Sequence, residues 1–149
     1  MYSHILISTD GSELATKGLD HGLALAAALK AKVTILTATE SFPLHTAMLG
    51  AGAVAAVETL ESYDEAQAEE AAKILAAAKA MADQRQVAAT TLHIGNAQPA
   101  DAILKAAEDL GCSLICMSSR GRSGLTRLIL GSQTSEVVAK SKVPVLVVR

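Results

Sequence analysis

Short apolar runs alternate along the chain with longer segments in which apolar residues recur every three or four positions. The runs are rich in β-branched residues and predict strands at residues 4–8, 33–37, 88–94, 114–118 and 143–148, the third being the weakest. Because the other four runs are apolar almost throughout, both faces of those strands must be covered, as in a parallel sheet.

The segments between the runs predict four helices, over residues 15–29, 57–82, 99–110 and 132–141. We expect their apolar faces to be buried, with Leu29, Val57 and Leu110 among the buried residues. Strands that alternate with helices favour a doubly wound α/β fold with right-handed crossovers. The prediction is one domain over residues 1–149, with an open five-stranded parallel sheet and helices on both faces.

Residues 41–56 form the least regular stretch, which contains Pro43, Gly50 and Gly52 among several apolar residues. A connection of this length between a strand and a helix is unusual. Two hypotheses stay open: a flap over a binding site, or a segment that is packed as an extra helical turn or disordered.

Composition and charge exclude several classes of protein. Half of the residues are hydrophobic, yet the chain has one Phe, two Tyr and no Trp, so Ala, Leu, Val and Ile must build the core. Thirteen basic and fifteen acidic residues give a net charge of −2, without the basic excess of a nucleic-acid-binding protein. We find no secretory signal and no apolar run long enough to cross a membrane, and expect a cytoplasmic protein. Cys112 and Cys116 are expected to be reduced thiols, with no metal site.

In an open parallel sheet, ligands bind at the carboxyl ends of the strands, near the point where strand order reverses. The residues that follow the first, second and fourth predicted strands are Thr9 to Ser12, Thr37 to Glu40, and Met117 to Gly121. We expect them to meet at one edge of the sheet.

The segment from Ser118 to Ser132 carries the clearest chemical signal. It leaves a strand, passes two glycines, and reaches Gly131 and Ser132 directly before a helix. Glycines let backbone amides approach an anion closely, and a helix start attracts phosphate. Arg120, Arg122 and Arg127 add positive charge, whereas Ser132 either donates to the anion or only caps the helix. These residues predict a phosphate site, although no Walker or dinucleotide fingerprint is present.

The same residues resemble the universal stress protein family, whose C-terminal signature is G-x-x-G-x9-G-[ST]. Gly121, nine residues, and then Gly131 and Ser132 match it, and similarity to the family extends over nearly the whole chain. The resemblance implies the strand order 3-2-1-4-5, four helices and a dimer. In ATP-binding members, it implies Thr9 and Asp10 near the nucleoside, Ala38 at the adenine, and ribose and phosphates held by Met117, Ser118, Gly121, Gly131, Ser132, Gln133 and Thr134.

Two of these positions leave alternatives open. Ser118 stands where the signature has its first glycine, so it crowds the ligand, strains the backbone, or donates its hydroxyl to phosphate or ribose. Asp10 either faces the nucleoside or serves only as the cap of the first helix.

The final strand predicts an association surface. It is Val-rich, ends the given chain and carries Pro144, a residue suited to a sheet edge. We expect a homodimer through Val143, Val145 and Val147, paired about a two-fold axis.

The resulting functional hypothesis is an ATP-binding regulatory or sensor protein, with or without Mg²⁺, that has no catalytic residues. The first alternative is a dimeric stress or adaptor protein that does not bind ATP. A weaker alternative is a slow ATP-hydrolysing enzyme, because only Asp10 is placed as a general base.

Overall fold

The computed structural model describes residues 1–42, 52–121 and 129–149, with the side chains of residues 52–56 left out. Along the chain the elements are β1 (His4–Ser8), α1 (Glu13–Leu29), β2 (Lys32–Ala38), α2 (Gly52–Gln84), β3 (Ala89–Ile94), α3 (Pro99–Asp109), β4 (Leu114–Ser118), α4 (Ser132–Lys140) and β5 (Val145–Val148). Among the described residues, no helix is both long and apolar enough to cross a membrane.

The five strands form one parallel sheet in the order β3-β2-β1-β4-β5, which confirms the predicted fold and strand order. The register pairs Ser8 with Leu36 across β1 and β2, and Met117 with Val147 across β4 and β5. Strand order reverses between β1 and β4, so the carboxyl ends of these strands open a crevice at the edge of the sheet.

Two apolar cores cover the faces of the sheet. On one face, α1 and α2 pack their buried residues against alternate side chains such as Ile5, Ile7 and Ile35. On the other face, α3 and α4 cover Leu6, Leu36 and Ile115. Strands buried on both faces explain why their sequences are continuous apolar runs.

Strand β5 is shorter than predicted, which corrects the position of Val143. The Val143 amide donates to Ser141 Oγ at 3.2 Å, and that hydroxyl donates to the Val143 carbonyl at 2.7 Å. Val143 therefore belongs to a turn, and the ladder begins at Val145, after Pro144, which lacks an amide hydrogen. Val145 and Val147 lie in the edge strand as predicted.

The predicted burial fails near the helix ends. Leu29, Val57 and Leu110 are exposed to 44%, 53% and 42%, because they lie beyond the part of each helix that the sheet covers. Helix α2 also begins at Gly52, inside the stretch predicted to be irregular, since the Ala-rich sequence there favours a helix. Residues 43–51 of that stretch lie outside the described residues.

Candidate functional site

A cleft of about 370 Å³ opens at the carboxyl ends of β1, β2 and β4. Its volume lies in the range of small-molecule sites. Arg120 lines the cleft, and so do all ten residues predicted to contact the nucleotide. The ten are Thr9, Asp10, Ala38, Met117, Ser118, Gly121, Gly131, Ser132, Gln133 and Thr134. Arg122 and Arg127 lie outside the described residues.

The loop after β1 turns sharply into α1. Gly11 has φ +78°, a left-handed conformation that glycine adopts without strain. The Ser12 amide donates to Asp10 Oδ1 at 3.0 Å, and the Ala15 amide donates to Ser12 Oγ at 3.2 Å. Ser12 is thus the N-cap of α1, and the hypothesis that Asp10 serves only as that cap is wrong.

Asp10 instead lies beside Gly121, which follows β4 on the other side of the crevice. A Cβ atom added to Gly121 would stand only 2.8 Å from Asp10 Oδ2. Any side chain at position 121 would displace this carboxylate, so the glycine allows the two loops to approach across the cleft.

The backbone of Ser118 is not strained, and its hydroxyl donates within the protein. Among the described non-glycine residues, positive φ angles occur at Lys30, Gln86 and Asn96, and not at Ser118. Its hydroxyl donates to the Arg120 carbonyl at 2.7 Å, and its own carbonyl accepts from Thr134 Oγ1 at 3.1 Å. Ser118 and Thr134 therefore shape the loop with their side chains.

Helix α4 begins without a side-chain cap. Its N-cap is Gly131, and its first turn contains no acidic residue. The Gly131 amide donates to the Ser119 carbonyl at 2.9 Å, which fixes the direction in which the helix enters the cleft. The first turn of α4, residues 131–134, lines the cleft and leaves its amides as a favourable anion site. We call these residues the α4 start.

Gln133 connects two helix starts that face the cleft. Its Oε1 accepts from the Ala100 amide at 2.8 Å, and its Nε2 donates to Gln98 Oε1 at 3.3 Å. The N-cap of α3, Gln98, makes no cap bond with its own side chain. Gln133 therefore caps α3 from α4, and both polar atoms of its side chain are hydrogen-bonded within the protein.

The end of β2 presents backbone groups to the crevice. The Thr9 amide donates to the Leu36 carbonyl, and Thr37 Oγ1 donates to the Thr9 carbonyl, both at 2.9 Å. The Thr39 amide donates to the Ile94 carbonyl of β3 at 2.9 Å. The backbone amides and carbonyls of successive strand residues point toward opposite neighbouring strands. Since Thr39 bonds to β3, the amide and carbonyl of Ala38 point toward β1, which has already ended at this level.

Five residues of α2 line the cleft and were not predicted there; three of them are polar, namely Tyr63, Gln67 and Glu70. Glu61, Glu65 and Glu69 on the same helix are exposed. The available signal was the helical spacing of the apolar residues Leu60, Ala71 and Leu75, because positions 63 and 67 lie on the same face of the helix. We call Tyr63, Gln67 and Glu70 the α2 wall.

In the part of the chain that the structure describes, the charged side chains that line the cleft are mainly acidic. They are Asp10, Glu40 and Glu70, together with Arg120. In the same residues, no group of three or more His, Cys, Asp or Glu side chains could hold a metal ion. Cys116 lies buried in β4. Burial raises the pKa of its thiol to about 11, so this cysteine is an unreactive core residue.

Comparison with known proteins identifies the family of the chain. The chain matches the universal stress protein family over residues 1–149. It is 34% identical to universal stress protein YxiE of Bacillus subtilis, and the alignment covers 100% of both chains. It is also 34% identical to universal stress protein MJ0577 of Methanocaldococcus jannaschii, with 100% of this chain and 96% of that chain covered.

Solved structures show the same fold. A structure of MJ0577 superposes with a TM-score of 0.84 at 29% identity, covering 99% of this chain and 96% of that chain. A universal stress protein in complex with cAMP superposes with a TM-score of 0.68 at 24% identity, covering 99% and 97%. The match along the whole chain, together with the observed strand order, confirms the resemblance: the chain belongs to the universal stress protein family.

Proposed function

We propose that this protein binds ATP in the cleft and acts as a regulatory or sensor protein whose conformation or assembly responds to the nucleotide. The observation that carries the proposal is the α4 start, an uncapped helix N-terminus that follows a glycine and opens into the cleft. Unsatisfied amides and the helix dipole favour phosphate at such a position.

The phosphate contacts come mainly from the backbone. Gln133 and Thr134 use their side chains within the protein, so their amides, with the amide and hydroxyl of Ser132, would hold the phosphates. Arg120 contributes positive charge from the neighbouring loop. Arg122 and Arg127 are proposed to add to it.

The nucleoside would lie across β1. Asp10 faces the cleft beside Gly121, where its carboxylate can accept from ribose hydroxyls, as acidic residues do in dinucleotide sites. Ala38 offers its backbone to the adenine, while Met117 and Thr9 complete the floor.

The nucleotide is bound with or without Mg²⁺. Since no metal-binding cluster occurs among the described residues, the ion would arrive with the phosphates, as Mg²⁺ commonly does. We place the protein in the cytoplasm; Cys112 and Cys116 are both free and buried, which suits a reducing compartment.

A second proposal concerns the edge of β5, which favours a homodimer. The Ile115 amide donates to the Pro144 carbonyl at 3.0 Å and the Ser119 amide to the Val148 carbonyl at 2.7 Å. Val145 and Val147 therefore direct their amides and carbonyls away from β4, where a second β5 can pair with them. A dimer of this kind would also serve the adaptor function that does not require ATP.

The dimer is tested at Leu146, which is 37% exposed in the edge strand. Val145 packs against the second core, so a charge there would disturb the fold as well as the dimer. We expect Leu146→Lys to halve the mass measured by light scattering while the far-UV circular dichroism stays unchanged. An unchanged dimer mass would remove β5 as the interface.

Nucleotide retention separates ATP binding from the adaptor alternative. The purified protein is denatured, and released nucleotides are identified by chromatography; calorimetry with added ATP follows. We expect ATP in the released fraction or a saturable heat of binding. A protein that releases no nucleotide and gives no heat with ATP would contradict the proposal. ATP turnover that is lost in Asp10→Ala would support the enzyme alternative.

A further inference from the structure

The α2 wall lies on the opposite side of β1 from the α4 start. The strand order places β2 on one side of β1 and β4 on the other, and α2 packs on β2 and β3. A nucleotide whose phosphates lie at the α4 start must therefore extend its base toward Ala38 and the α2 wall. This step rests on the proposed function.

Exposure along α2 shows which of its residues face the cleft. Leu60, Tyr63 and Gln67 are half-buried, whereas the residues between them are exposed. Their spacing of three and four continues to the fully buried Ala71, so they form one stripe on the helix. Tyr63 and Gln67 are the polar members of that stripe.

The Gln67 amide is hydrogen-bonded to a side chain of the same stripe. Gln67 Nε2 donates to the Tyr63 hydroxyl at 2.6 Å. The Tyr63 ring in turn lies edge-on against Phe42, with 5.0 Å between ring centroids. The amide nitrogen is thus bonded to Tyr63, whereas Oε1 makes no hydrogen bond within the described residues, and Gln67 lines the cleft.

Other polar groups on this side also favour a hydrogen-bond donor in the ligand. The carboxylate of Glu40 also lines the cleft and repels an electron-rich oxygen. Thr39 Oγ1 is already bonded to His93 Nε2 at 2.8 Å. Glu40 and the Gln67 oxygen therefore both favour a hydrogen-bond donor in the ligand.

We propose that the α2 wall determines base specificity, with Gln67 Oε1 accepting from the 6-amino group of adenine. Hypoxanthine has a 6-oxo group in the same position. That oxygen, an acceptor, would lie against Gln67 Oε1, which is also an acceptor, and no hydrogen bond could form. A site that leaves buried polar groups unpaired rejects the wrong ligand more strongly than a merely apolar pocket does.

The experiment compares ATP with inosine triphosphate by calorimetry, since the two differ only in the purine ring. Wild type should prefer ATP. In Gln67→Leu, the ratio of the two affinities should fall by about tenfold, the value of one hydrogen bond. Tyr63→Phe, which releases the Gln67 amide, should lower the ratio by about threefold. The matched control is Glu69→Gln, an exposed change on the same helix, which should leave the ratio unaltered.

The outcomes separate this inference from the proposed function. If wild type binds ATP but Gln67→Leu retains the full preference, or wild type shows no preference, the specificity assignment is overturned while ATP binding stands. If wild type binds neither nucleotide, both proposals fail. A thermal melt of each variant checks that the altered ratio comes from a folded protein.

Discussion

Helices α1 and α4 both begin at the carboxyl edge of the sheet, but their first turns are satisfied in different ways. In α1, Ser12 Oγ accepts from the Ala15 amide, and Glu13 adds an acidic residue in the first turn. In α4, Gly131 offers no side chain, and the first turn contains no acid. Two helices that enter the same cleft thus differ in what remains for a ligand.

Helix α3 completes the comparison. It begins at the same edge with Pro99 in its first turn, and the Ala100 amide is satisfied by Gln133, a residue of α4. The α4 start therefore supplies a cap to its neighbour while its own first turn has no side-chain cap. This asymmetry is the reason for placing the phosphates of the proposed nucleotide at the α4 start.

The largest effect is expected when α4 is made to resemble α1. Gly131 has φ −59° and ψ 154°, a conformation that suits a capping aspartate. An added Cβ would lie 3.4 Å from the Arg120 Cα, which is tight but tolerable. We expect Gly131→Asp to weaken ATP binding about 100-fold, because its carboxylate occupies the amides and repels phosphate.

Calorimetry measures this loss, and Gly131→Ala is its control, since it adds a Cβ without a charge or a cap. We expect the alanine variant to lose far less affinity. Equal affinity of wild type and Gly131→Asp for ATP would show that phosphate does not bind at the α4 start.

The opposite change removes the cap of α1. Ser12→Ala deletes the oxygen that accepts from the Ala15 amide, and such a loss costs about 1 kcal/mol of stability. We expect a corresponding decrease in the free energy of unfolding by urea, with ATP affinity preserved. An affinity loss comparable to that of Gly131→Asp would mean that α1 also binds the nucleotide.

Gln133 distinguishes a ligand contact from a structural cap. Gln133→Ala removes the acceptor of the Ala100 amide but keeps the backbone of α4. We expect a loss of about 1 kcal/mol in unfolding free energy and little change in ATP affinity. Gln98→Ala, which removes only the weaker 3.3 Å bond, serves as the control. A normal stability with weakened ATP binding would reverse the assignment.

The smallest effect concerns His4, which lies in β1 away from all three helix starts. Burial, and then the charge of Lys32, lower the pKa of His4 below its ordinary value. Its Nε2 is hydrogen-bonded to Thr34 Oγ1 at 2.9 Å. Protonation of His4 is therefore less favourable in the folded protein than in the unfolded chain.

The direction in which stability changes with pH follows from proton binding by His4. Below about pH 6.5, the usual histidine pKa, the unfolded chain binds a proton more readily than the folded chain does, so stability falls as pH falls. Urea unfolding between pH 8 and pH 5 should show a steeper decline for wild type than for His4→Gln. His21→Gln, at an exposed histidine, should keep the wild-type slope. Identical slopes in all three proteins would contradict this account.

Much of the fold could be predicted because its signals are local. Buried strands require continuous apolar runs, and the positions of Gly131 and Ser132 before a helix are visible in the sequence. The α2 wall was missed because Tyr63 and Gln67 lie within an acidic helix, where only the packing of α2 on the sheet decides which residues face the cleft.

The use of individual polar groups also could not be predicted. Gln133 caps a helix that begins 34 residues earlier in the chain, and no local pattern announces such a contact. Ser118 was a candidate donor to phosphate, but its hydroxyl donates to the carbonyl of Arg120, only two residues away. Partners of this kind depend on the three-dimensional path of the loop.

The most direct test follows the backbone amides of the two contrasted helices by ¹⁵N NMR during titration with ATP. The account predicts large shifts for Ser132, Gln133 and Thr134, and small shifts for Glu13, Leu14 and Ala15. Shifts confined to the α1 residues, or no change at the α4 start at saturating ATP, would contradict it.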